Sequence, residues 1–428
     1  MKTAEKLLVA LVLSVLAGSL ALLVLNGTGA GTTVTACVLC LILTVLAVSA
    51  GSIIISDRKQ RDRESGAASD FLDADRFIDS YKTNSLYRLI VIALFILTVF
   101  LFMIISLWVG QNSLTLGEVF DVFVKHITGA ELEFGTPGWY NDILVWDVRM
   151  PRAVVAIISG AGLAVAGAVM QGAVKNPLAD PYTTGISSGA VFGATLFIVL
   201  GFSVAGNEQY GIVLNAFLFS LIPALVMVSI SRISNGSPVT VILVGTAVSY
   251  IFSSFSTLIM MLADERALKD AFEWQVGSLT GSTWNTVPLM LAMTVVISVI
   301  LFFTSNKLNL MMAGDKEAKS LGLNVDNYRM MCLILLSLMV ASIVSYIGMI
   351  GFLGLIVPHI VRMVIGSDSR VVLPASAILG AGTMLLADIL SRTIATSAIP
   401  VGVVLSFVGG PLFLLLVIRS SREAWSDE

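Results

Sequence analysis

The chain has 428 residues, of which 57% are hydrophobic and 12% charged, with a mean hydropathy of +0.94 and a net charge of −3. So few charges exclude a soluble globular protein and make this an integral membrane protein of all-α type, a polytopic bundle of membrane helices with lipid around it. No nucleic-acid partner is expected.

Apolar runs of the roughly 20 residues needed to cross a hydrocarbon core recur at 7–25, 34–56, 87–110, 152–171, 187–204, 211–231, 239–262, 285–304, 328–348, 352–366, 372–391 and 400–419. The first run could alternatively be a cleaved signal peptide, but it is long and a second span follows almost at once. Within the second, Cys37 and Cys40 have CxxC spacing. In an apolar run such residues read as small helix residues rather than a redox or metal site. Residues 57–86 interleave acids and bases, which suits a cytoplasmic linker with one short amphipathic helix near Phe71–Tyr81. The organisation expected is two N-terminal spans (1–56), the linker (57–86), a ten-helix domain (87–420) and a tail (421–428). The N-terminal pair reads as a structural brace or a lipid-facing collar.

Cytoplasmic loops retain positive charge. With the N-terminus inside, all but Lys125, Arg149, Arg152, Arg266, Lys269 and Arg392 of the 25 Lys and Arg residues fall on the cytoplasmic side, so both termini are expected there. Residues 111–148 then form a partly folded external loop. Residues 264–283 form a second external connection, a short helix followed by a turn at Gly277 and Gly281.

Four stretches carry mechanism. Arg149-Met150-Pro151-Arg152 opens a span in which Gly160, Ala164, Ala168 and Gly172 recur every fourth position, a face that lets another backbone approach closely. Gln171 near its inner end is costly to leave in lipid and faces either a helix neighbour or a transport pathway. KNPLADP (175–181) then forbids helix continuation at Pro177 and Pro181, and Ser187 or Ser188 is placed to cap the next helix. In AGDKEAKSLGL (313–323), Asp315 can cap a helix of about two turns that Gly322 ends in the left-handed conformation. In YIGMIGFLGLIVPHIVRMVIG (346–366), Gly348, Gly351 and Gly354 permit a bend and Pro358 interrupts the hydrogen-bond ladder. His359 there reads as a packing or hinge residue; with His126 distant in sequence, no clustered histidine metal site is expected. Asp388, inside a span, needs a partner, and a structural hydrogen bond is the expected one rather than ion coupling.

The string from Arg149 to Ala190, together with 313–323 and the segment from Tyr346 onward, resembles the FecCD family of ABC importer permeases, over roughly residues 86 to 420. The resemblance implies a core of about ten helices per subunit, leaving the first two spans as an addition. It implies import of a metal chelate: an iron(III)-siderophore first, cobalamin or haem next. It makes 313–323 the coupling helix that seats in an ATP-binding subunit, with Gly314, Asp315, Glu317, Ala318, Leu321 and Gly322 as its residues. Arg149, Arg152 and Arg392 match positions that grip acidic residues of an extracytoplasmic substrate-binding protein. Gln171, Asn176, Ser237 and Thr240 fall in pathway or gate regions, although SNGSPVT (234–240) departs from the family's gate sequence. Implied partners are a second permease copy or close homologue, two ATP-binding cassette subunits and the binding protein, in the cell membrane. The sequence has no GxxxxGK[ST] loop. ATP and Mg2+ are therefore expected on the partner subunit, and no catalytic residue, metal or cofactor is expected on this chain. The rival readings are an ion-driven secondary transporter, disfavoured because Asp388 is nearly the only carboxylate within a span, and a membrane scaffold.

Overall fold

The computed structural model describes residues 74–425 apart from 111–113, 130–132, 205, 207–209, 234–237 and 395–398. The two spans expected at the N-terminus with Cys37 and Cys40, most of the expected linker, Ser237, which the resemblance places in the gate, and the last residues of the tail lie outside the described residues. Every regular element among those described is helical.

Helix α1 (Ala74–Trp108) fuses the amphipathic helix expected in the linker with the span expected at 87–110. Helices α2 (Leu116–Thr128) and α3 (Pro137–Asp142) occupy the segment read as a partly folded loop. A π-helical stretch, Ile143–Arg149, then runs directly into α4 (Met150–Val174), so the helical rod starts well before Arg152 and spans 38 residues, Pro137–Val174. A 3-10 turn (Pro181–Thr184) leads into α5 (Ile186–Leu200), followed by α6 (Gly211–Ile233) and α7 (Pro238–Met260). The expected short helix is α8 (Glu265–Val276), capped by Asp264 and closed by Gly277 at φ +83. Beyond it lie α9 (Val287–Phe303), α10 (Ser305–Ala313), α11 (Asp315–Ser320), α12 (Val325–Ile347), α13 (Leu353–Ile365), α14 (Ser369–Thr393) and α15 (Val401–Trp425).

A helix stands at each of the ten spans expected within 87–420. By length and composition, six are long and apolar enough to cross a bilayer, α9 and α10 form a pair bent by 56°, and α5, α13 and the apolar part of α15 are shorter. The short ones matter for function, as described below. Pro358 lies within the regular part of α13, and the break falls earlier, at 348–352. Ser187 and Ser188 do not cap α5. Gly185 stands at its N-cap with no side-chain cap, Ser188 donates back to the Gly185 carbonyl at 3.2 Å, and the capping side chain in this connection is Asp180, which starts the preceding 3-10 turn by accepting from the Tyr182 N–H at 2.9 Å.

Helix α4 is the centre of the bundle, buried along nearly its whole length, with α14, α13, α12 and α9 packed around it. Apolar side chains gain nothing by leaving lipid for one another, so helices in a membrane associate through close packing, and small residues let backbones meet. A Cβ on Gly160 would fall 2.4 Å from the Gly380 carbonyl oxygen on α14, and one on Gly167 only 1.7 Å from the Gly354 oxygen on α13. The ladder read from the sequence is thus shared between neighbours: Gly160 and Ala164 meet α14, while Gly172 lies against Leu308 of α10. Helices α5, α6 and α7 pack on one another, and α6 and α5 join the centre through α12.

Candidate functional site

The short helix α11 projects from one end of the bundle. Its C-terminal side closes as expected: Gly322 has φ +84, and the N–H groups of Gly322 and Leu323 return to the carbonyls of Lys319 and Ala318, both at 3.0 Å. Its N-terminal side differs. Gly314 occupies the N-cap position at φ +145, and Asp315 is the first helical residue rather than the cap. At that φ an L side chain is strained whatever the space, so the position favours glycine; the Glu317 carboxylate, which lies where a Cβ would stand, is exposed and free to swing aside. Asp315 instead receives two cations, Lys175 Nζ at 3.0 Å and Arg329 Nη2 at 2.9 Å.

Burial pushes the Asp315 carboxyl up, but the hydrogen bonds and charges of Arg329 and Lys175 outweigh it and hold the group below its ordinary value. Arg329 is 1% exposed and also donates Nε–H to the Ala173 carbonyl at 2.8 Å. Lys175 is the residue just past α4, itself left-handed at φ +53. The helix is therefore clamped both to the end of the central helix and to the start of α12. Ala318 is buried beneath it, while Lys316, Glu317, Lys319 and Leu321 face outward, Leu321 at 68% exposure. Sequence reasoning missed Arg329 and Lys175, because Arg329 lies on another helix than Asp315 and Lys175 at the end of a third, and no short-range pattern marks which side chains meet across helices.

A second feature lies deeper. Gly354 touches Gly167, seven residues from the end of α4, so α13 begins about 10 Å along the bundle from that end at 1.5 Å per residue. Residues 348–352 descend to that level without helical structure, with Gly348 at φ +72 and Phe352 at φ +66. The chain between α4 and α5 meets them: the Ile350 N–H reaches the Tyr182 hydroxyl at 3.4 Å, and Pro181 lies beside Gly354. Irregular backbone at membrane depth persists only where protein buries it or where it borders water. At Gly351 a Cβ would meet no atom within 4 Å.

Of the residues that the resemblance places in the pathway, Asn176 is half-buried in this connection and accepts from the Leu178 N–H at 2.9 Å. Thr240 is half-buried near the start of α7. Gln171 is 3% exposed; it donates to the Leu355 carbonyl at 3.1 Å and accepts from Arg362, which also donates to the Ala168 carbonyl. Of the two roles left open for Gln171, this geometry supports the bond between helices.

The three arginines converge at the opposite end. Arg152 donates Nε–H to Asp388 Oδ1 at 2.7 Å, and Arg392 Nη2 stands 2.9 Å from Oδ2, off the axis of a hydrogen bond. Arg392 also donates to the Ser106 and Val109 carbonyls and to Ser106 Oγ, and Arg149 donates to the Leu107 and Trp108 carbonyls. Asp388 is fully buried and has the structural pairing expected of it. The cluster ties the end of α1 to the start of α4 and the end of α14. Side-chain exposure is 12% at Arg152 and 10% at Arg392. Their forks face the chain's own acceptors rather than an open surface, so gripping an external carboxylate requires the cluster to rearrange.

These features sit in a chain whose residues 85–419 match the model of the FecCD transport family. The chain belongs to that family. This FecCD protein is a multi-pass membrane permease of an ABC transporter, a transporter subunit and not an enzyme. It is 37% identical over 355 residues to a protein of Methanocaldococcus jannaschii assigned as an ABC transporter permease, covering 80% of this chain and 98% of that one. It is 38% identical over 289 residues to the cobalamin import permease of Halobacterium salinarum, covering 67% and 76%. Relatives at 34–36% identity are described as a hemin permease of Yersinia pestis, a molybdate permease of Haemophilus influenzae and an iron(3+)-hydroxamate permease of Bacillus subtilis. Among solved structures, an inward-facing transporter assigned to the metal-chelate type superposes with a TM-score of 0.66 at 31% identity, covering 77% of this chain and 99% of that one.

Proposed function

We propose that this FecCD permease carries an iron(III)-siderophore inward as one of two membrane subunits of an ABC importer, with cobalamin or haem as the second reading. The family supports a metal chelate as the class of cargo. The iron-chelate reading rests on the resemblance of the motifs, and relatives named for hemin, cobalamin and iron hydroxamate keep all three cargoes in the test.

The observation that carries the mechanism is the clamped, outward-facing α11. Two ATP-binding subunits, each holding ATP and Mg2+, would seat one on each permease copy, its cleft over Gly314–Gly322, with Leu321 and Glu317 as the gripping side chains and Ala318 as the inward anchor. Movement of α11 would pass through Asp315 to Arg329 and Lys175, and so to α12 and α4. The connection 176–185, with Asn176 and its 3-10 turn, and the irregular segment 348–352 are well placed to line or gate the route. Ser237 and Thr240 are assigned to the inner gate by resemblance. Arg149, Arg152 and Arg392 are assigned to the mouth that receives the binding protein, with both termini and α11 in the cytoplasm.

The test is the double variant Glu317→Ala/Leu321→Arg, studied with the ATPase subunits and binding protein. Loss of ATPase co-purification, or hydrolysis without uptake, is expected. Normal assembly and uptake would remove α11 from the coupling role. Uptake of radiolabelled ferric siderophore, cobalamin and haem by the reconstituted importer decides among the cargoes.

A further inference from the structure

Helix α2 divides cleanly into three faces. At 100° per residue, Val119, Val122, Phe123 and His126 fall within one sector of about 100°. Val119 and Val122 are buried, Phe123 meets Trp146 edge to face, and His126 stacks on Trp146 with ring centroids 3.9 Å apart and bonds Asp142 at 2.7 Å. Glu118, Asp121, Lys125 and Thr128 occupy another sector of about 80°, all polar. Between these two lies a third sector of about 80°, made only of Leu116, Phe120, Val124 and Ile127. Those four are exposed, Phe120 at 68% and Ile127 at 84%.

The geometry points to α2 lying along the membrane–water boundary at the end of the bundle opposite α11, with Leu116, Phe120, Val124 and Ile127 immersed in the upper layer of lipid. An apolar stripe set beside a charged face is how an interfacial helix divides its surface. The stripe also follows on from an apolar row that the described residues leave uncovered. On α1, Leu97, Phe100, Leu101 and Ile104 are exposed along the row leading to Trp108, whose indole N–H bonds the Leu114 carbonyl at 2.7 Å, immediately before the Thr115 cap of α2.

Aromatic side chains concentrate where a boundary is expected: Trp108, Trp139, Tyr140, Trp146 and Trp284 all lie near this end, and the Trp284 indole donates to the Trp146 carbonyl at 2.9 Å. A second copy of the chain is a poorer occupant. Four side chains on a helix of 13 residues fall short of the ~800 Å2 that each partner contributes to a stable interface, and extending the contact along α1 would exchange lipid for equally apolar side chains, which gives no hydrophobic gain. The inference rests on the chain being a membrane protein, independently of its cargo or the role of α11.

The experiment uses the full chain, with Cys37, Cys40 and Cys332 replaced by Ala, reconstituted into phosphatidylcholine nanodiscs. Nitroxide labels are placed singly at Phe120→Cys, Ile127→Cys and Asp121→Cys. Collision rates with oxygen, which partitions into lipid, are compared with those of a water-soluble nickel chelate. Labels at 120 and 127 should show an oxygen-to-nickel ratio several-fold above that at 121. Equal ratios at all three sites would overturn the proposal, as would stripe labels open to the nickel chelate, which leave a wet surface for another protein. Protection from both reagents with dipolar broadening between copies would mean a dimer contact and also overturn it. If either stripe variant fails to run as a monodisperse species, Leu116→Cys and Val124→Cys report on the same face.

Discussion

The carboxylate of Asp388 is the most demanding polar group in the membrane part of this permease, and replacing it by asparagine separates structure from transport. The charge is fully buried and serves two guanidinium groups, at 2.7 Å from Arg152 and 2.9 Å from Arg392. Removing one member of a buried pair costs roughly 3–5 kcal/mol, because the other charge stays behind without compensation. Arg392 retains the Ser106 and Val109 carbonyls and Arg152 retains Ser391, so Asp388→Asn should fall near the lower end, about 3 kcal/mol. Stability is read by denaturant unfolding in lipid, beside ATP-driven uptake by the folded fraction. Adding Arg152→Gln to Asp388→Asn should recover part of the loss, with a coupling energy of about 1–3 kcal/mol. An imposed proton gradient should leave uptake by the wild type unchanged. If Asp388→Asn proved as stable as wild type but abolished uptake, the carboxylate would be part of the transport chemistry and the structural argument would be wrong.

Packing supplies a sharper contrast. Gly167→Leu should abolish folded protein, since its Cβ alone would stand 1.7 Å from the Gly354 oxygen, whereas Gly351→Ala, with open space around it, should fold normally; yield of monodisperse protein distinguishes them. The clamp on α11 should depend on pH with a definite sign. The Asp315 carboxyl is held below its ordinary value, so its contribution is present above the unfolded pKa of about 4 and disappears as pH falls through the lower folded one. Protection of α11 amides from hydrogen exchange should drop over that acid range in wild type and stay flat, already reduced, in Asp315→Asn. Orientation is tested by cysteines: in intact cells an impermeant reagent should label Thr136→Cys but reach Ser320→Cys only after the membrane is opened, and the reverse pattern would put α11 outside.

The sequence by itself determined the class of the protein and where helices stand within 87–420, because backbone in a bilayer must satisfy itself in helices or a closed barrel, and apolar runs of about 20 residues select the helix. The runs read at 211–231, 239–262 and 372–391 correspond to α6, α7 and α14 within a few residues. Local chemistry also carried through: Gly322 closes α11 and Gly277 closes α8 because both backbones are left-handed there. The family was legible from the strings around Arg149, Gly314 and Tyr346. What those side chains face was decided only by the tertiary structure. Asp315 reads as a helix cap when its neighbours in sequence are all that is known, yet folding brings it Lys175 and Arg329, and two cations outbid a cap. Arg149, Arg152 and Arg392 look like a row of free cations until Asp388 and the carbonyls at the end of α1 close around them. The break at 348–352 likewise stands before Pro358, where the chain must descend to set Gly354 against Gly167, a constraint imposed by a helix almost two hundred residues earlier. Helical periodicity and capping act over a few residues and can be read from the chain, whereas burying a charge or meeting a backbone depends on which distant helix arrives alongside.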